Sequence, residues 1–314
     1  MIATVTANPC VDKTVTVPAF DLYRMNRVRV ISTDLSGKGI NVSKVLRALG
    51  AETLCTGFDF CEGDVSPLAT DLERDGIAHD LIRVPGALRV CTKIFDESRK
   101  HTIEVNERGK AVTSHDGERL LAKIVEVAKR SDFLTLSGSL PQGLDNAFYA
   151  RCMQQLRLLA PDCRIVVDGE GELLRMALDA APYLIKPNIH EFESTFACKI
   201  DRISQLDQTV QELFGRYGVE MICVSLGEKG AYLATRGEAY VADPVQVEVR
   251  SLQGAGDSMV AGICMAAQQG MAPADMLRFG VAAAGATIST AGTRPGSKAD
   301  FEMLLHQAKV QKIR

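Results

Sequence analysis

Gly254-Ala255-Gly256-Asp257 sets two glycines and a carboxylate where a loop passes into a helix, whose apolar residues Met259, Val260, Ile263, Cys264 and Ala267 recur at helical spacing before Gly270. A helix N-terminus presents unpaired N–H groups and the positive end of the peptide dipoles, and glycine lets an anion come close to them. Such a turn can hold the phosphates of a nucleotide. Asp257 would repel phosphate unless it has work of its own, so it reads either as the acceptor of a proton from an attacking hydroxyl or as a helix cap. If it is the acceptor, the same helix end should lower its basicity and make orientation of the hydroxyl its larger service.

Other polar turns lie where strands end. Ser36-Gly37-Lys38-Gly39-Ile40-Asn41 gathers flexible backbone, a cation and an amide before a helix over Asn41–Leu49, which suits a polyhydroxylated or phosphorylated ligand, or is a tight turn capped by Asn41. It lacks the spacing of a Walker A loop. Asn8-Pro9 and Asp12 follow the first strand, where open α/β sheets place ligand groups, and Asp12 could hold hydroxyls or shape a turn. Asn188 and Glu191, after Lys186-Pro187, fit a capping box and also offer oxygens to Mg²⁺ through its waters. Ser225-Leu226-Gly227 with Gly230, and Ser137-Gly138-Ser139, are turns that leave strands.

These turns need a frame. Runs at Ile2–Thr6, Thr53–Gly57, Phe133–Ser137, Arg164–Asp168, Tyr183–Lys186 and Met221–Leu226 read as strands, several apolar throughout, as strands covered on both faces are. Helical period appears over 41–49, over Pro67–Asp75 behind Ser66, and over 117–130, 146–159 and 205–217. The alternation predicts an α/β fold with a mostly parallel sheet wrapped by helices. Thr14–Val17 with Arg27–Asp34, and later Arg89–Phe95 with His101–Asn106, are pairs of runs with no helix inside either pair, and the four predict a small separate sheet over the main domain. Strands so few and short cannot bury a core alone, so Val28, Val30, Val90, Ile94 and Val105 need a partner surface, which a two-fold homodimer through this lid would supply.

The bulk composition excludes several classes. Of 314 residues, 46% are hydrophobic and 24% charged, as in soluble globular chains. A net charge of −3 gives no footing for nucleic acid. Nine cysteines scattered without a C-x-x-C pair read as reduced thiols rather than a disulfide frame or zinc site. No long apolar segment suggests a membrane span, and the expectation is a cytoplasmic chain.

Taken together, Asn8-Pro9 with Asp12, Gly37-Lys38-Gly39-Ile40-Asn41-Val42-Ser43, Ser137-Gly138-Ser139-Leu140-Pro141, Lys186-Pro187-Asn188 with Glu191, Ser225-Leu226-Gly227 and Gly254-Ala255-Gly256-Asp257-Ser258 resemble the ribokinase-like PfkB carbohydrate kinases. The resemblance runs through essentially the whole chain, in order. It implies one ribokinase-like domain over residues 1–314, a three-layer α/β/α unit with a mostly parallel central sheet and a lid sheet inserted from about 14–35 and 88–106. Asn26-Arg27, Arg89 with Lys93, Glu104 to Glu107 and Gly256 to Gly262 are similar to the branch that phosphorylates ketohexose phosphates.

The resemblance implies transfer of the γ-phosphoryl of MgATP to a ketohexose phosphate, with D-fructose 1-phosphate ahead of tagatose 6-phosphate. Asp257 with Gly254, Ala255 and Gly256 would form the catalytic turn. Lys186, Asn188, Ser225, Gly227, Gly230, Gly254 and Gly256 would contact ATP, and Asn188 with Glu191 would hold Mg²⁺ through water. Asp12, Gly37, Lys38, Gly39, Asn41, Arg89, Lys93, Glu104, Asn106 and Ser139 would bind the sugar phosphate, and Arg27 would reach the neighbouring subunit's site. Arg27, Lys38, Arg89 and Lys93 make sense as one cationic cluster for a substrate that already carries a phosphate.

There are departures. Ser36 replaces the family's first glycine, and Cys91 stands where R-x-N-x-K has Asn. Phe58-Asp59-Phe60-Cys61-Glu62 replaces a glycine-rich stretch, and Leu252-Gln253 replaces the Thr and small residue of the monovalent-cation site. Three rivals remain: a nucleoside or free-sugar kinase of the same fold, which needs no cationic cluster; a dinucleotide oxidoreductase, against which Met259 stands where the fingerprint wants glycine; and a sugar-phosphate sensor without turnover, against which Asp257 stands.

Overall fold

The computed structural model describes residues 1–314. Its main sheet runs, edge to edge, through Val310–Lys312, Ala239–Ala242, Ala231–Thr235, Met221–Ser225, Leu184–Ile185, Arg164–Asp168, Phe133–Ser137, Ile2–Thr6, Thr53–Phe60 and Ala78–Val84. The seven strands from Met221–Ser225 to Ala78–Val84 are parallel. The other three are antiparallel. Ile2–Thr6 therefore lies inside the sheet, and its five residues are all buried.

Alternation along each strand feeds two cores. Ala3, Val5, Ile165, Val167, Ile222 and Val224 point to one face, with Leu120, Ile124, Phe148, Tyr149, Leu174, Phe192 and Leu206 of five helices. Ile2, Val166, Met221 and Cys223 point to the other, with Val42 and Leu46, the helix Ala255–Gln268, the helix Pro273–Ile288 and Phe301. A period of two on the strands and 3.6 on the helices thus yields three layers. Gly262 lets the helices 255–268 and 273–288 close on each other, since a Cβ there would sit 2.5 Å from the Phe279 carbonyl oxygen. Alanine at this position would pry apart the pair that carries Asp257.

The second sheet has four strands in the order Arg29–Ser36, Cys10–Val17, Arg89–Asp96, His101–Asn106, the central pair parallel and the outer pairs antiparallel. The expected small sheet is present, with shifted limits. Its first strand starts at Cys10, because residues 10–13 pair with 33–36 and 89–92, and its second starts at Arg29, which leaves Arg27 and Val28 in the preceding loop. Helix limits also differ. The helix expected from Asn41 covers Lys38–Ala48, and Tyr183–Lys186 contributes only Leu184–Ile185 as strand. The helices Gly171–Asp179 and Ile189–Phe196 were not foreseen, nor were the strands Ala78–Val84, Ala239–Ala242 and Val310–Lys312. No helix is long and apolar enough to cross a membrane.

Candidate active site

The parallel strands deliver their carboxyl ends, and the turns behind them, to one edge of the sheet. There the helix Ala255–Gln268 begins, with Gly254 in the left-handed region at φ 73° as its first boundary residue. Ser258 locks the turn, its hydroxyl donating to the Gly254 carbonyl at 2.8 Å and lying 2.7 Å from the Thr287 hydroxyl. Asp257 does not cap this helix, whose boundary residue has no side-chain cap. It is buried in the first turn, and Asn41 Nδ2 donates to its Oδ2 at 2.7 Å. Asn41 is no cap either. It lies inside the helix Lys38–Ala48, where Ser36 Oγ donates to its Oδ1 at 3.0 Å and fixes the amide so that its N–H₂ faces Asp257.

Behind Asp257 lies a buried charge network. Asp168, at the end of its strand, has its Oδ1 3.2 Å from Lys38 Nζ and 3.6 Å from Lys186 Nζ. Burial alone would raise the Asp168 carboxyl, but Lys186 and Lys38 outweigh it and hold it below the usual range. Burial would lower Lys38, and the charges of Asp168, Glu191 and Asp257 raise it instead. Asp257 is pushed up to about 6 by burial first and by Asp168 second, against Lys38, the Asn41 hydrogen bond and Lys186. The expected loss of basicity at the helix end is therefore reversed. Desolvation and a neighbouring carboxylate exceed what one helix terminus supplies.

Lys186 is the least expected partner of that terminus. Its ammonium is 3.2 Å from where a Gly256 Cβ would stand, and the residue is 3% exposed. A cation against the positive end of a helix is unfavourable unless an anion joins them, and Asp168 answers only part of that charge. The arrangement has the charge of an anion-binding hole.

Asn188 and Glu191 form the capping box in full: Glu191 Oε2 accepts from the Asn188 N–H at 2.7 Å, and Asn188 Oδ1 from the Glu191 N–H at 2.9 Å. Glu191 Oε1 remains, 3.7 Å from Lys38 Nζ, and Asp168 Oδ2 is buried without a hydrogen-bond partner. Two such acceptors suit a hydrated divalent cation held through its waters. The Ser225–Gly230 turn stands beside this group, because Asn188 bridges to Ser225 and the Ser225 N–H donates to the Pro187 carbonyl.

On the lid side, Arg89 donates to the carbonyls of Asn8 and Glu107, both at 3.2 Å, and Nη2 lies 3.5 Å from Ser139 Oγ. Lys93 Nζ donates to Asp12 Oδ1 at 2.5 Å. Gln253 Nε2 donates to the Thr14 hydroxyl oxygen at 3.3 Å. The expected single cationic cluster is divided. Lys38 serves Asp168, Lys93 serves Asp12, Arg89 holds backbone carbonyls, and Arg27 is exposed in the loop before the second lid strand. Glu104 and Asn106 are exposed on the outermost lid strand, where Asn106 reaches only Glu104. Asp168 was missed by sequence reasoning. Its signal was an acidic residue closing a strand of otherwise apolar interior residues.

Unpartnered buried polar atoms collect around this edge: Asn8 Oδ1, Ser137 Oγ, Arg89 Nε and Asp168 Oδ2. Buried polar groups are normally paired, so their concentration at strand ends marks where a polar ligand belongs.

Comparison with known proteins finds relatives along the whole chain. The profile of the pfkB family of carbohydrate kinases matches residues 5–300. The 1-phosphofructokinase of Vibrio cholerae is 31% identical over 313 residues, 99% of this chain and 97% of its own length. That of Escherichia coli is 32% identical over 92% of this chain and 91% of its own. The phosphofructokinase-2 of Escherichia coli in complex with substrates and products superposes with a TM-score of 0.88 at 24% identity, over 98% of both chains.

Proposed function

The chain belongs to the pfkB family of carbohydrate kinases, and from that premise we propose that it is a 1-phosphofructokinase, moving the γ-phosphoryl of ATP to the C6 hydroxyl of D-fructose 1-phosphate. The observation that carries this reading is the buried Asp257 carboxylate, held by Asn41 one turn into a helix whose N-terminus faces the Lys186 ammonium. An anionic phosphoryl group and a hydroxyl acceptor are what that juxtaposition accommodates. Asp257 orients the hydroxyl and takes its proton, and a carboxylate raised to about 6 is a better base than an ordinary one while still ionised at pH 7. The N–H groups of Gly254, Ala255 and Gly256, with Lys186, face the oxygens where charge develops.

Magnesium bound to the nucleotide supplies charge neutralisation, and Glu191 and Asn188, with Asp168 behind them, are the residues here to hold its waters. Asn188 and the Ser225, Gly227 and Gly230 turn line the nucleotide's path. Asp12, Gly37, Lys38, Gly39, Asn41, Arg89, Lys93 and Ser139 form the acceptor side. Arg89 is the group for the acceptor's phosphate, since a guanidinium already donating to neutral carbonyls gains by turning to an anion. Glu104 and Asn106 extend the acceptor side, and Arg27 reaches the neighbouring subunit's site in a two-fold homodimer that joins the exposed lid residues Val28, Val30, Ile31 and Val105.

A coupled assay with MgATP and fructose 1-phosphate, tagatose 6-phosphate, fructose and adenosine tests the reading. Highest kcat/KM on fructose 1-phosphate is expected. A preference for tagatose 6-phosphate would move the substrate within the family, preference for an unphosphorylated acceptor would remove Arg89 from its role, and binding without turnover would leave a sensor.

A further inference from the structure

We propose that Cys10, Asp12 and Cys91 form a binding site for a soft divalent cation, with zinc the best match, inside the lid sheet. Cys10 and Asp12 are two apart on one strand and so share a face, and Cys91 stands directly opposite Asp12 on the neighbouring parallel strand. Their two sulfurs and a carboxylate oxygen all lie within 4.8 Å of one another, and all three residues are buried. The other seven cysteines join no such group.

The donor set and spacing suit zinc. With Zn–S near 2.3 Å, tetrahedral geometry asks for sulfurs about 3.8 Å apart, so closing this group takes at most about 1 Å of side-chain adjustment. Two thiolates and one carboxylate leave a fourth position for water, and thiolates disfavour magnesium and calcium. Lys93 Nζ, on Asp12 Oδ1, fixes the carboxylate, as outer partners of metal ligands do.

The site does not depend on the kinase reading, but if that reading holds it has a consequence. Asp12 belongs to the proposed acceptor pocket, so zinc should compete with the sugar phosphate and not with ATP.

Reduced protein titrated with Co²⁺ should take up one equivalent with a thiolate-to-cobalt charge-transfer band that Zn²⁺ bleaches. Cys10→Ser and Cys91→Asn should each abolish the band and weaken zinc binding by at least about 10–100-fold, the loss that changes even outside the ligand set cause. Cys198→Ser, at the one cysteine that is not fully buried, should change neither. Absence of the band, or its survival in both ligand variants, overturns the site. Should the variants misfold, X-ray absorption on the zinc-loaded wild-type chain decides: two sulfurs at about 2.3 Å support the site, and any other number overturns it. In the kinase assay, zinc should raise KM for the sugar phosphate alone. Unchanged KM with binding intact would count against the acceptor pocket, not against the metal site.

Discussion

The two sides of the cleft are built on opposite plans. On the main-sheet side, Asp168, Lys186 and Asp257 are at most 7% exposed, and each is fixed by charge or hydrogen bond to another buried group. On the lid side, the outer strands turn Val30 and Val105 out at 53% and 57% exposure, and Arg27 stands in solvent. Electrostatic stabilisation of a transferring group needs dipoles fixed before the reaction, and the first side has them. The lid leaves Val28, Val30, Ile31 and Val105 exposed, and the proposed homodimer would cover them. Chemistry is preset on one side of this molecule, and recognition is left to assembly on the other.

Asp257→Asn gives the sharpest test of the preset side. It should lower kcat by ~10²–10⁴-fold while ATP affinity by calorimetry stays near wild type, because Asn keeps the shape and still accepts the Asn41 N–H. Near-full turnover would dissolve the contrast, leaving Asp257 a packing residue. Arg89→Ala probes the recognition side. Loss of a hydrogen bond to a charged group costs ~1.5–3 kcal/mol, so KM for the sugar phosphate should rise about tenfold or more with ATP affinity unchanged. Equal losses for both ligands would indicate a damaged lid.

Assembly can be broken and mended. Sedimentation should find a dimer at micromolar concentration, and an active monomer there would end the shared-site idea. Arg27→Ala and Asp257→Asn chains, each inactive alone, should regain about a quarter of wild-type activity when mixed, because half of randomly formed dimers carry one intact site in two.

The smallest effect is on stability. The native Asp257 carboxyl titrates near 6, above its ordinary 3.8, so folding favours its protonated form. Its stabilising contribution is complete below about pH 4 and is lost as pH rises through about 6. Asp257→Asn should therefore melt higher than wild type at pH 7, by on the order of 1–3 kcal/mol, with the gap closing towards pH 4. In wild type, kcat/KM should fall as pH drops through about 6. A variant less stable than wild type at neutral pH would show that the buried charge is not under strain.

The difference between the sides also governs what the chain's sequence discloses. Ile2–Thr6, Phe133–Ser137 and Arg164–Asp168 are legible to the residue because strands covered on both faces are short runs rich in apolar and β-branched residues, with charge only at their ends. The glycine turn before Asp257 is legible because helix starts and left-handed glycines are local signals. Val310–Lys312 escapes notice because a short edge strand keeps polar residues, and Ala239–Ala242 because four residues are too few for a period to show. Asp168 escapes for a related reason: a lone Asp closing a strand has ordinary local uses, and only tertiary pairing reveals another, as it also reveals that Asn41, already a candidate ligand residue, bonds to Asp257. Cys10 and Cys91 read in the sequence as isolated reduced thiols, and only the lid register sets Cys91 opposite Asp12 and diagonal to Cys10.

The hydrogen bond from Asn41 to Asp257 joins positions 216 apart in the chain. Closing a loop of that length costs about 5 kcal/mol of chain entropy before any contact offsets it. The first half of the polypeptide can form its strands and its lid without this bond, and helical signal in a refolding experiment should return early. Turnover should return last, in the step that brings the helix 255–268 down onto Asn41, so regained activity times the final docking of this chain better than any spectroscopic probe of its secondary structure.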